Sequence, residues 1–303
     1  MRNACANVIY ELIKKDSRVM ALAADGGSNI FMKIKENYPK QYVDYGIAES
    51  NMVGSAAGLA SCGKIPFIHA ATNFIAERAF EFIRDDVCFD NRNVKIIGMW
   101  SGLERCKWGF SHQGTEDLAI LRTLPNMLVI SPATPIEACE ATKYAYEHKG
   151  PVYIRLEGLN EAELYNESYR FSPGKGYVVR EGEDVAIISM GSVINEAISA
   201  ASFLERQGIS TKIVNMPTVK PIDKEIICNT ASKVKAIITL EEHSIYGGLG
   251  SAVAEVLAEN NISIKFTRMG LNGCAVGCGN RKEIREINGL DDNSIYKRII
   301  DLL

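Results

Sequence analysis

Short β-branched, apolar runs alternate with longer amphipathic stretches along almost the whole chain. In the first half, runs at 19–24, 42–45, 65–70, 94–99, 128–131 and 152–155 predict strands. Helical periodicity near 30–38, 49–62, 74–88, 114–122 and 135–148 predicts the elements between them, and Val8, Ile9, Leu12 and Ile13 mark an opening helix. Strand and helix in strict alternation imply a parallel sheet covered on both faces. Right-handed crossovers then gather the loops at the strand C-termini, where ligands bind in such sheets.

Residues 158–177 break this rhythm; they are polar and rich in Glu, Asn, Ser, Pro and Gly, and read as a linker. A second alternating series follows, with strands expected at 184–189, 211–214, 236–241 and 264–268. Helices are expected at 193–207, 222–232, 249–259, 281–287 and 293–302. The organisation expected is therefore two α/β domains, 1–157 and 178–303, joined by 158–177.

Composition narrows the function classes. Hydrophobic residues make up 47% and charged residues 23% of 303, the balance of a globular protein with a substantial core. A net charge of -3 and the lack of any Lys/Arg run argue against nucleic acid. No apolar stretch approaches membrane-spanning length and the N-terminus lacks a signal-peptide core, so a cytoplasmic protein is expected. Eight scattered cysteines then read as reduced thiols; Cys274 and Cys278 have no further Cys or His close in sequence to complete a metal site.

Four constellations could carry chemistry. Glu49 opens a small-sided helix, Glu49-Ser50-Asn51-Met52-Val53-Gly54-Ser55-Ala56-Ala57-Gly58, in which another backbone can approach closely. By periodicity alone Glu49 could equally be a helix-terminal acid favoured by the macrodipole. Phe74 and Arg78 share the next helix, where an aromatic at helical spacing is usually core. His112, one of four histidines, sits in Ser111-His112-Gln113-Gly114-Thr115 where a loop meets a helix. Glu241-Glu242-His243-Ser244-Ile245-Tyr246-Gly247-Gly248-Leu249-Gly250 carries glycines before a helix, but lacks both the P-loop Lys and G-x-G-x-x-G spacing. Close packing explains those glycines better than phosphate binding.

The order and separation of these segments are more specific than any one of them. GIAESNMVGSAAGLA, FIAERAFEFIRDDV, SHQGTEDLAILRTLPNM, GPVYIR and EEHSIYGGLGSAVAEVLAE together resemble the C-terminal portion of transketolases. They are similar also to the matching part of 1-deoxyxylulose-5-phosphate synthase. The resemblance implies a doubly wound, mostly parallel-sheet domain that binds the pyrimidine of thiamine diphosphate. A smaller mixed-sheet C-terminal domain follows it. It also implies that Glu49 hydrogen-bonds the aminopyrimidine and thereby activates the cofactor. Phe74 matches the aromatic stacked on that ring, with Arg78 beside it; Asp25 matches an acid at the cofactor edge, and His112 a histidine directed into the active site. The metal-and-diphosphate motif of the family, Gly-Asp-Gly followed by an Asn-containing stretch, is absent. A partner subunit supplying the Mg2+ and diphosphate contacts is therefore expected, as an α2β2 assembly.

Substrate-reading positions depart from the family pattern. Trp108 stands where an Asp is expected, Trp100 where a histidine is expected, and Gly158 where a phosphate-binding arginine is expected. Two indoles suit a non-standard sugar, including a nucleotide-linked one, with Lys107 or Arg105 available for an anion. The expected activity is transfer of a two-carbon ketol unit. The alternatives are another thiamine-dependent carboligase or 2-oxoacid dehydrogenase β-type subunit, and a non-catalytic assembly subunit.

Overall fold

The computed structural model describes residues 1–24, 30–158 and 162–303. They form two compact units, one of residues 1–101 and 120–172 and the other of 102–119 and 173–303. The two expected α/β bodies are both present.

The first unit runs α1 (Arg2–Lys15), β1 (Val19–Ala23), α2 (Met32–Asn37), β2 (Tyr42–Asp44), α3 (Glu49–Ser61), β3 (Ile65–Ala71), α4 (Phe80–Phe82) and β4 (Lys95–Met99). It continues, after a passage through the second unit, with the end of α5 (Asp117–Leu121), β5 (Leu128–Ile130), α6 (Pro135–Glu147) and β6 (Val152–Leu156). These strands stand in the order β5-β6-β4-β3-β1-β2, each neighbouring pair parallel. β1, β3, β4, β5 and β6 are buried along their whole length. Continuous apolar runs are what a parallel sheet needs when helices cover both faces. α1 packs on α6 and α3 on β3.

Local signals set several boundaries. Thr134 caps α6 by accepting from the Glu137 amide, and Pro135 pre-sets its first turn. Lys95, the first residue of β4, is fully buried, and its Nζ donates to the carbonyls of His148 at 2.8 Å and Gly150 at 2.7 Å. It thereby pins the connection from α6 to β6. The segment expected as one α-helix over 74–88 is instead composite: Phe74–Arg78 and Ile83–Phe89 are π-helical and flank the short α4. π turns hold an extra residue each and are frequent at functional sites.

The second unit contains β7 (Tyr177–Arg180), β8 (Val185–Ser189), α7 (Ile194–Glu205), β9 (Thr211–Asn215), β10 (Thr218–Lys220) and α8 (Lys224–Ala231). β11 (Ala236–Ser244), α9 (Leu249–Glu259), β12 (Lys265–Leu271), α10 (Arg281–Ile287) and α11 (Asp292–Leu302) complete it. Its sheet has the order β12-β11-β8-β9-β7, parallel except for the antiparallel pairing of β7 with β9. β7 begins at Tyr177, the last residue of the stretch read as linker. α10 starts with a capping box between Asn280 and Glu283. No helix among the described residues is long and apolar enough to cross a membrane.

Candidate functional site

In the first unit the candidate residues follow the C-terminal ends of adjacent parallel strands. β2 leads through Gly46, whose φ of +60° suits glycine, into α3, so that Glu49 is the first residue of that helix. The turn is held by the Gly46 amide, which donates to Asp44 Oδ1 at 3.0 Å. β3 leads into the first π-helical segment, which carries Phe74 and Arg78. Asp25, expected at the same end after β1, lies outside the described residues.

Glu49 is only 1% exposed, and its Oε2 accepts from Arg78 Nη1 at 2.8 Å. A buried carboxylate needs such a partner, because desolvating it unpaired costs several kcal/mol. The guanidinium carbon of Arg78 also lies 4.8 Å from the centroid of the Phe74 ring. The widened π turn sets Phe74 and Arg78 on one face. The Arg78 carbonyl accepts from Ser50 Oγ at 3.2 Å, tying this segment to α3. Glu49, Phe74 and Arg78 are thus brought together, with the carboxylate buried and the Arg78 side chain 48% exposed.

Trp100 follows β4 at the same end of the sheet, in the left-handed region with φ +59°. A non-glycine residue held there costs about 1–3 kcal/mol and is a mark of functional sites. Its backbone is fixed by Ser101, whose amide donates to the Leu156 carbonyl at 3.3 Å and whose hydroxyl meets Thr72 Oγ1 at 2.5 Å. The Arg2 guanidinium lies 5.9 Å from the Trp100 ring. Gly158 has φ +49°, a conformation that glycine adopts without the strain an arginine would carry there.

The remaining candidates belong to the second unit, in a loop whose ends Gly102 and Gly114 are joined by a bridge. Two 3-10 turns, Cys106–Trp108 and Phe110–His112, are separated by Gly109 at φ +78°. They set Trp108 and His112 edge to face, with ring centroids 4.9 Å apart at 90°. The Arg105 guanidinium lies 4.7 Å from the Trp108 centroid, and Ser111 Oγ is 2.9 Å from His112 Nδ1. Trp108 is 48% exposed, and Lys107 beside it is exposed as well. An exposed indole carrying a cation on its face offers a stacking surface next to positive charge.

The glycines before α9 do not serve a phosphate. The Leu249 and Gly250 amides at the start of that helix donate to the Glu241 carboxylate at 2.7 and 2.8 Å. A Cβ on Gly248 would collide with Glu241 Oε2, so close packing explains that glycine.

Comparison with known proteins identifies the family. Residues 1–160 match the model of the transketolase pyrimidine-binding domain, and residues 174–295 that of the transketolase C-terminal domain. The chain belongs to the transketolase family. It is 37% identical to an apulose-4-phosphate transketolase subunit of Actinobacillus succinogenes, over 98% of this chain and 97% of that one. It is 36% identical to a 6-deoxy-6-sulfo-D-fructose transketolase subunit of a Clostridium species, over 98% of this chain and 92% of that one. A solved split-gene transketolase, described as an inactive beta4 tetramer, superposes with a TM-score of 0.89 at 39% identity, covering 100% of this chain and 97% of that one. Transketolases are transferases, and the family implies thiamine diphosphate as cofactor.

Two features escaped the sequence reading. The Glu49–Arg78 ion pair joins residues 29 apart in sequence, and only the loop-helix order hinted at it. Glu242, within the fourth motif, anchors the loop of Trp108 and His112 through an amide 139 residues away.

Proposed function

We propose that this chain is the C-terminal subunit of a split, thiamine diphosphate-dependent transketolase. It transfers a two-carbon ketol unit between sugar or sugar-derived carbonyl compounds. The observation that carries the reading is the buried Glu49 carboxylate held by Arg78, whose guanidinium also lies 4.8 Å from the centroid of the Phe74 ring. This pair fits the aminopyrimidine end of the cofactor: Arg78 occupies Glu49 Oε2, and Oε1 is the oxygen for a ring nitrogen. When bound, the cofactor supplies the carbon nucleophile that takes up the two-carbon unit. Glu49 holds the proton at the pyrimidine, Phe74 provides the stacking face, and Arg78 fixes the carboxylate's orientation. His112 acts on the substrate. Asp25 is proposed at the cofactor edge.

The diphosphate and Mg2+ are assigned to a separate N-terminal subunit, in an α2β2 assembly. The lack of a Gly-Asp-Gly motif supports this, as does the relative described as an inactive tetramer of one kind of chain. The pyrimidine-binding role is assigned to residues 1–157 and the C-terminal role to 178–303.

The sugar is proposed to be non-standard, because Trp100, Trp108 and Gly158 replace the expected polar residues. Relatives named for apulose 4-phosphate and 6-deoxy-6-sulfo-D-fructose favour a small sugar with one anionic group. Arg105 and Lys107, beside Trp108, suit such an anion. Preferred turnover of a nucleotide-linked ketosugar would instead select the larger substrate, and fast turnover of xylulose 5-phosphate would remove the case for a changed one.

The deciding experiment is Glu49→Gln in the chain assembled with its partner. Ketol transfer should fall about 10²- to 10⁴-fold, with assembly retained. Unchanged turnover would point to a non-catalytic assembly role, and robust turnover by this chain alone would refute the split-subunit reading.

A further inference from the structure

The fourth motif begins with two adjacent glutamates that do different work. Glu241 satisfies the N-terminus of α9. Glu242 is 1% exposed and faces the loop of Trp108 and His112. Its Oε2 accepts from the Leu103 amide at 3.0 Å and from Arg281 Nη2 at 2.7 Å. Its Oε1 accepts from Arg281 Nε at 3.0 Å and from Arg285 Nε at 2.5 Å. Arg285 in turn reaches Glu196 at 2.8 Å and Ser192 Oγ at 3.1 Å. Burial alone would push the Glu242 carboxyl up; the two guanidiniums outweigh that and hold it below the usual carboxylate range.

The fit on the loop side is steric as well as polar. Gly102 has φ +61°, and a Cβ there would lie 2.6 Å from Glu242 Oε2 and 3.2 Å from the Glu242 carbonyl oxygen. The next two residues of β11 hold the far end of the loop. The Ser244 amide donates to the Thr115 carbonyl at 2.8 Å, and the Ala119 amide to His243 Nε2 at 3.4 Å. The middle is held from the segment before α10: the Cys106 thiol donates to the Gly279 carbonyl at 3.3 Å, and the Cys278 thiol to the Lys107 carbonyl at 2.8 Å. Between these anchors stand Arg105, Lys107, Trp108 and His112.

We propose that Glu242, clamped by Arg281 and Arg285, is a positioning residue that sets the placement of Trp108 and His112 toward the sugar. The proposal rests on the function given above for the role of those two residues. It assigns the C-terminal unit a part in substrate recognition, exerted through the placement of the loop that the clamp holds. Displacing reactive or recognition groups by about 1 Å can cost up to about a hundredfold in rate.

The test uses the enzyme assembled with its partner. Arg281 is 21% exposed, so Arg281→Ala is a milder change than Glu242→Gln and keeps the question open if the latter fails to fold. Arg281→Ala should raise the KM for the sugar about tenfold. Thiamine diphosphate affinity, which depends on Glu49 and Phe74, should not change. Arg281→Lys keeps the charge but loses the two-pronged contact, and should fall between. In a Trp100→Phe background Trp108 is the only indole, so acrylamide quenching of its fluorescence reads the loop directly, and quenching should increase in Arg281→Ala. A folded Arg281→Ala with unchanged quenching and unchanged KM would overturn the proposal. If the wild-type assembly transfers no ketol unit, the functional reading fails alone; altered quenching would still establish the clamp.

Discussion

Lys95 offers a quantitative test of the first unit's interior. Its ammonium is buried without an acidic partner among its hydrogen bonds, which go to two backbone carbonyls. Burial pushes its pKa down from 10.5 to about 7. The unfolded chain therefore holds this proton between about pH 7 and 10.5 while the folded chain has released it. Unfolding free energy rises with pH wherever the unfolded state binds more protons, so the group's contribution improves from pH 7 upward and is at its worst below. A shift from 10.5 to about 7 corresponds to about 5 kcal/mol. The two carbonyls favour the ammonium and offset part of this, so a change of at least about 2 kcal/mol is expected. Other groups titrate nearby. Burial raises the Cys5 thiol to about 12, which makes stability fall with pH above its ordinary value of 9.0. His148, lowered by burial and by Lys95, titrates below the window. The informative quantity is therefore the difference between wild type and Lys95→Met, from urea unfolding followed by circular dichroism at pH 7 and pH 10. Wild type should gain at least about 2 kcal/mol on the variant across that interval. A difference that does not change with pH would show that Lys95 keeps its proton in the fold, and the argument from burial would fail.

Further outcomes follow from packing and stacking. Gly98→Ala drives a Cβ into Tyr153 Oη and sets it 2.7 Å from Thr72 Oγ1, and should cost about 1–3 kcal/mol in chemical unfolding; an unaffected midpoint would mean that the strand end yields. Trp108→Ala removes the ring that stacks with Arg105 and meets His112, and should raise the sugar KM roughly three- to tenfold while leaving thiamine diphosphate affinity alone. A variant that loses cofactor affinity instead would place Trp108 at the wrong ligand.

Legibility in the sequence follows burial. β1, β3, β4 and β6 are readable because a strand covered on both faces is a continuous apolar run. β7 is half-exposed, pairs antiparallel at the sheet edge and follows a Pro/Gly-rich stretch, so its pattern is weak. The π-helical turns at Phe74 and Ile83 read as α-helix, because an i→i+5 hydrogen-bond register leaves no mark in an apolar pattern. Glu49, Phe74 and Arg78 are each visible as residues. Their meeting depends on β2 and β3 flanking β1, a consequence of topology rather than spacing. The clamp on Glu242 is hidden for the same reason: its partners lie at positions 103, 281 and 285.

Residues 102–119 lie within the first half of the chain yet pack with the second unit. No single cut can therefore release both bodies intact. A fragment starting at Pro173 would keep Glu242, Arg281 and Arg285 but lose the Leu103 amide and the Thr115 carbonyl that β11 engages. Dissection by truncation would expose a charged hollow where the intact chain has a seated loop, and a stand-alone C-terminal piece would need residues 102–119 grafted back before its behaviour could represent the parent.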